Sequence, residues 1–231
     1  MRTGIAKILL RKQSGKLILC GVVAVALLWF AGCDAHKDVP DTSTQIGHVL
    51  CTDGEVLSYS DFMYYGKKAI GVVFYINHID SVEGNGYALY LWDVQDGQFA
   101  ELGGSEQGTS ADTSAYDGNE NTYALYSYED IVSPIANAVY DIWAYGQSAY
   151  IPSVAQMRLL YYAKDEVNAV LNKLGGDAIP DAADECWYWT STEVDGQADY
   201  KAWLYSLASG AVQETPKTQT HRVRAIITLN E

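Results

Sequence analysis

The chain has 231 residues, 48% hydrophobic and 19% charged, with 18 Tyr, six Trp and four Phe; it is long enough for a sizeable core and too apolar to be wholly disordered. Its formal charge is −14, but five of the fifteen Lys and Arg lie in residues 1–33 beside no acid, so the other ten face all 29 Asp and Glu, a net −19. Such a surface repels phosphates and sulfated sugars, which excludes nucleic acid as a partner.

Arg2, Lys7, Arg11, Lys12 and Lys16 precede an unbroken apolar run of 16 residues from Leu17 to Gly32. A basic region followed by a short apolar one marks a secretory signal, and the run falls short of the ~17–25 residues of a spanning helix. Phe30-Ala31-Gly32-Cys33 resembles the bacterial lipobox, with Phe30 where Leu is usual. Residues 1–32 are therefore read as a lipoprotein signal peptide, Cys33 as the lipidated N-terminus, and residues 33–46 as a flexible tether. An uncleaved inner-membrane anchor is the alternative. A diacylglycerol and an N-acyl chain on Cys33 hold firmly, each buried CH₂ contributing ~0.8 kcal/mol, so the membrane is the first expected partner. Asp34 is a retention signal for the inner membrane under the enterobacterial sorting rule, but acids soon after the acylated Cys also mark surface-exported lipoproteins, so an outer-membrane lipoprotein is expected, on either face. Cys51 and Cys186 remain in an oxidising compartment, either as a disulfide or as buried thiols.

Residues 47–231 read as one domain. A first strand and turn cover Gly47–Glu55, with Asp53-Gly54 as the turn signal. Ala69–Ile76 is a β-branched, aromatic run suited to a central strand, and Gly86–Trp92 alternates as the next one. Residues 97–121 are rich in Gly, Ser, Asp and Thr without periodicity, and loops of that length are usually functional. Asn121-Thr122 is expected to cap a helix over Tyr123–Tyr128. Ser133-Pro134 opens another, with Ile135, Val139, Ile142 and Trp143 on one face and Gly146 at its end. Ser153 and Gln156 form a capping box before Val154–Tyr162, and Asp165 starts a further helix closed by Gly175-Gly176. Strands follow at Trp187–Thr190, Ala202–Leu207, Ala211–Glu214 and Arg222–Leu229. Strands, helices, then strands predict an α+β domain.

The ordered series Ile151-Pro152-Ser153, Leu160-Tyr161, Val167-Asn168, Gly175-Gly176, Tyr188-Trp189-Thr190-Ser191-Thr192-Glu193, Ala202-Trp203 and Arg222-Val223-Arg224-Ala225-Ile226 carries a resemblance. So do Gly71–Tyr75 and Asp117–Thr122 upstream. They resemble a bacterial surface-domain family of unknown function, the Fibrobacter-type major paralogous domain, related to the C-terminal domain of a collagen-like bacterial adhesin. The resemblance implies a C-type-lectin-like fold: mixed antiparallel sheets, a few short helices and long loops, with Gly47–Cys51 near Arg222–Leu229. Formylglycine-generating enzymes share the wider fold, but no cysteine motif of theirs is matched.

Three groups of residues are weighed for chemistry. Tyr188 in the aromatic strand is a candidate stacking surface, while Trp187 and Trp189 share a core face. Asp112, Asp117, Asn119 and Asn121 crowd oxygen ligands into ten residues as a weak calcium candidate, although Asp, Asn and Gly clusters are first of all turn chemistry. Arg222 and Arg224 point one way on the last strand, toward either an anion or an internal acid such as Glu193. Neither H-E-x-x-H nor G-x-S-x-G occurs, so no catalytic residue and no cofactor is assigned. The expectation is a non-catalytic binding or adhesion module for a glycan or protein ligand, with Tyr116, Asp117, Asn119 and Tyr188 as contact residues. A structural subunit of a fimbria-like assembly is the alternative, and an enzyme comes last.

Overall fold

The structure, a computed structural model, describes residues 43–78, 84–144 and 147–230. The signal segment, Cys33 and Gly146 lie outside the described residues. In chain order the elements are β1 (Val49–Cys51), β2 (Val56–Leu57), α1 (Tyr59–Tyr65), β3 (Ala69–Ile76), β4 (Gly86–Tyr90), β5 (Val94–Gln98), α2 (Gly118–Ser127), α3 (Pro134–Tyr140), β6 (Trp143–Ala144), β7 (Gln147–Ser148) and α4 (Val154–Leu174). Then follow β8 (Trp187–Glu193), β9 (Lys201–Ser206), β10 (Val212–Pro216), β11 (Thr220–Val223) and β12 (Ile226–Leu229). The fold is α+β, as the alternating composition predicts.

The β-branched run of β3 lies at the middle of a five-stranded sheet ordered β12-β4-β3-β1-β2. Period-two alternation sorts its two faces. In β4, Tyr87 and Leu89 turn toward Met157, Leu160, Val167 and Leu171 of α4, while Ala88 turns toward Trp189, Leu204 and Val223. The sheet is thus covered on both faces, and Val49, Leu50, Val72, Val73, Leu89, Ile226 and Ile227 are wholly buried. β1 and β12 share this sheet, but β4 and β3 separate them, so Gly47–Cys51 does not lie beside the last strand.

A second five-stranded sheet is ordered β10-β9-β8-β11-β5. The expected last strand is two, β11 and β12: Arg224 and Ala225 carry the chain from one sheet to the other, because Arg222 pairs with Tyr188 and Ile226 with Leu89. Every sheet edge is short, covered or blunted. β2 has two residues. β12 is met by Tyr150, which exchanges both backbone hydrogen bonds with Ile226 at 2.9 and 3.0 Å. β5 carries α3, and a Cβ on Gly97 would meet Ile135 at 3.0 Å. On β10 the bonds of Ala211 and Lys217 to β9 leave Val212, Glu214 and Pro216 facing outward, and Pro216 has no N–H.

The helices correct several expectations. α1 is additional: Ser58 caps it by accepting from the Asp61 N–H at 3.1 Å, and Gly66 ends it with φ 62°. α2 begins at Gly118, before Asn121-Thr122, because those two residues are buried inside the helix bonding to other elements. α3 starts at Ser133-Pro134 as expected but stops at Tyr140; Trp143 lies on the exposed β6 instead of the helix face. α4 is one helix of 21 residues, not two. Lys164 and Asp165 contain no breaker, and the apolar stripe Val154, Met157, Leu160, Ala163, Val167, Val170 and Leu171 runs through them in 3.6-residue register. Its capping box is complete, and Gly175 closes it with φ 73°. No described helix is long and apolar enough to cross a membrane.

Candidate functional site

The segment between β5 and α2 has no regular structure, yet it is bonded along its whole length. Phe99 and Ala100 are buried at its start, where the Ala100 N–H reaches the Lys217 carbonyl at 3.2 Å. Farther on, the Gln107 N–H donates to Glu193 Oε1 at 2.9 Å, and Lys217 forms an ion pair with the same carboxylate while donating to the Ser105 carbonyl at 3.2 Å. Both charged side chains are buried. Burial pushes the Lys217 ammonium below its ordinary range, and Glu193 pulls it back. The Ser110 N–H then donates to Asn121 Oδ1 at 2.8 Å, and Ser153 Oγ to the Ala115 carbonyl at 2.7 Å.

Those bonds decide the fate of the calcium candidates. Asp112 is spent on the N–H and hydroxyl of Ser114 at 2.8 and 2.6 Å, bonds that hold its carboxyl below the usual range. Asn121 is buried, with its oxygen on Ser110 and its amide on Asp117 at 2.9 Å. Burial raises the Asp117 carboxyl above its usual value. Of the four, Asn119 lines a cleft. Among the described residues no three His, Cys, Asp or Glu side chains gather around a metal-sized space. Asp112 closes a local turn on Ser114, and Asn121 ties the loop to α2.

Tyr188 is likewise not a surface residue. β8 is an interior strand, so Tyr188 is fully buried under the guanidinium of Arg222, 5.4 Å from its ring centre, and burial drives its phenol upward. Trp189 fills the core and donates to the Gly97 carbonyl at 3.0 Å. Arg222 and Arg224 converge on Asp93, not on Glu193, whose partner is Lys217. Arg224 also donates to the Asp177 carbonyl at 2.7 Å, so the pair staples loops to the sheet junction. Cys51 and Cys186 are both buried free thiols, the second of the two alternatives, Cys51 within the first sheet and Cys186 against Ser206 at 3.2 Å.

What the structure does assemble is a cleft of about 280 Å³ beside α2. Asn119, Glu120 and Tyr123 come from the first turns of α2, Tyr140 from the end of α3, and Ser148 and Tyr150 from the segment that follows β6. Tyr116, 38% exposed, lies just before α2. The floor is rigid. The Tyr150 hydroxyl pairs with Thr228 Oγ1 at 2.8 Å and accepts from Gln156 of the capping box at 3.4 Å. Gly118 fits only because it has no side chain: a Cβ there would stand 2.3 Å from Gln156 Oε1 and 2.6 Å from the Ile151 carbonyl. The rim is aromatic. Tyr126 and Tyr140 stack with centroids 3.7 Å apart and planes at 9°, Tyr123 is 61% exposed, and Trp143, opposite Ser148 in the β6–β7 ladder and so on the same face, is 64% exposed. Sequence reasoning singled out Asn119 but missed Tyr123, Tyr140, Ser148 and Tyr150. The available signal was the density of Tyr between residues 116 and 150.

No protein-family model and no curated protein matches this sequence. Among solved structures, the chain is similar to a fimbrial protein from Bacteroides ovatus ATCC 8483, with a TM-score of 0.62 at 16% identity. The likeness covers 79% of this chain and 48% of that one, so this chain corresponds to about half of that protein's length. At that identity what is shared is the fold.

Proposed function

We propose that the chain is an exported lipoprotein, acylated on Cys33, that displays residues 47–231 at the cell surface as a non-catalytic binding module of C-type-lectin-like architecture. The single observation that carries the binding role is the cleft beside α2: a fixed polar floor under exposed tyrosines, on loops held by two sheets. The basic N-terminal segment and the small residues before Cys33 support the anchor. Array binding of the purified protein to glycans and proteins tests the role. The expected result is a ligand whose signal disappears in Tyr123→Ala; retention of every signal in that variant removes the cleft from the reading. Mass spectrometry of the membrane form tests the anchor, and an intact Met1 would rule it out.

A second reading, a subunit of a fimbria-like assembly, is favoured by the fold shared with a fimbrial protein. The covered edges limit how such a subunit joins its neighbours. Recovery of the protein in sheared surface filaments is the result that this reading requires.

A further inference from the structure

We propose that the cleft beside α2 accepts a cationic side chain, an arginine or lysine carried by a protein partner. This rests on the reading of the cleft as a binding site and names the chemistry that it selects.

Charge distribution is the first support. Between Lys68 and Arg158 the chain contains no Lys or Arg and twelve Asp or Glu. Every residue lining the cleft comes from that stretch. A concave wall with one carboxylate, Glu120, and no Lys or Arg in its lining concentrates positive partners. The N-terminus of α2 contributes about half a positive charge, but Glu120 in its first turn is a full negative one and Asp117 precedes it.

The second support is what the charge is set among. Glu120 is exposed and makes no ion pair among the described residues, whereas Asp53, Glu55, Asp93, Asp181, Glu193 and Glu214 all do. Its neighbours are ring faces: Tyr123 stands open and Tyr140 is braced by its stack on Tyr126. A cation held over such faces gains cation–π attraction, and a carboxylate at the same spot supplies its hydrogen-bond acceptor. Size is the third support. At about 280 Å³ the cleft lies just below the range of drug-sized sites, enough for one long side chain and too little for an extended ligand. Exposed Trp143 and Tyr126 outside it provide the apolar contact that the flanking residues of a protein partner would cover.

The test uses the full-length protein in detergent and two labelled probes, N-acetyl hexa-arginine amide and its hexa-citrulline counterpart, which keeps the shape and loses the charge. Fluorescence anisotropy is expected to show the arginine peptide binding, with the citrulline peptide at least ~10-fold weaker, equivalent to ~1.4 kcal/mol. Glu120→Gln and Tyr123→Ala should each weaken the arginine peptide ~10-fold, while Glu101→Gln, an acid on the preceding loop, changes it less than about two-fold. Melting curves confirm that each variant is folded. Equal binding of the two peptides, or equal losses for Glu101→Gln and Glu120→Gln, overturns the proposal. An array ligand lost in Tyr123→Ala but kept in Glu120→Gln also overturns it while leaving the binding module standing.

Discussion

The segment from Phe99 to Asp117 and helix α4 are similar in length and opposite in construction. α4 is regular, and what holds it is a stripe of buried aliphatic side chains against the first sheet. The irregular segment has few such side chains and is held by single polar bonds to Glu193, Lys217, Asn121 and Ser153. Absence of periodicity is therefore not looseness. The apolar stripe spreads its stabilisation over many contacts, each replaceable in part. The polar pins concentrate it, and removing one member leaves a buried charge without a partner.

That contrast is broken most severely at Lys217. Lys217→Met strands the Glu193 carboxylate and should lower unfolding free energy by about 3–5 kcal/mol in urea titrations. The double variant with Glu193→Met should recover part of that, since the stranded charge is gone and the Gln107 N–H and the Ser105 carbonyl lose their partners, at about 1–3 kcal/mol. An equal loss in single and double variants would remove the distinction between the two regions. On the helix side, Leu160→Ala should cost about 2–5 kcal/mol without perturbing the loop's amide exchange. Gly118→Ala sits at the junction, where the new Cβ collides with the capping box, and about 1–3 kcal/mol with loss of ligand binding is expected. Ser153→Ala removes the helix cap together with a bond to the Ala115 carbonyl, for about 1 kcal/mol by thermal melt.

The smallest effect is at Asp117. Its carboxyl is raised by burial, so the folded state holds the proton more tightly than the unfolded one. Asp117 therefore favours folding most below its ordinary value near 3.8, and that contribution is lost as pH rises through the folded-state value. Asp117→Asn removes this loss. Relative to wild type it should gain stability between pH 3.5 and pH 6.5, within about 0.5 kcal/mol, read as a shift in urea midpoint.

The scaffold was legible wherever one physical rule acted alone. The β-branched run of β3, the alternation of β4, the caps Ser133 and Ser153 and the terminator Gly175 all occur where local chemistry puts them. Reading failed where tertiary contacts overrode local signals. Asp165 resembles a helix start but rides inside α4, because the stripe continues past it. Arg224 and Ala225 divide one apparent strand, since the chain changes sheets there. The candidate site was least legible. A cleft built from the first turns of one helix, the end of another and a segment that follows has no sequence spacing of its own, and Tyr188 was misplaced because strand alternation does not reveal that both faces of a strand are covered.

The closed sheet edges have a consequence for crowding. On a densely packed surface, neighbouring copies meet constantly, and an open edge would let one encounter template the next into a growing fibre. Here outward-facing Pro216 and Glu214 stop β10, Tyr150 occupies the place beside β12, and α3 shields β5. Strand pairing between copies is therefore blocked along these edges. Any ordered array of this domain joined at these edges must be built through side chains.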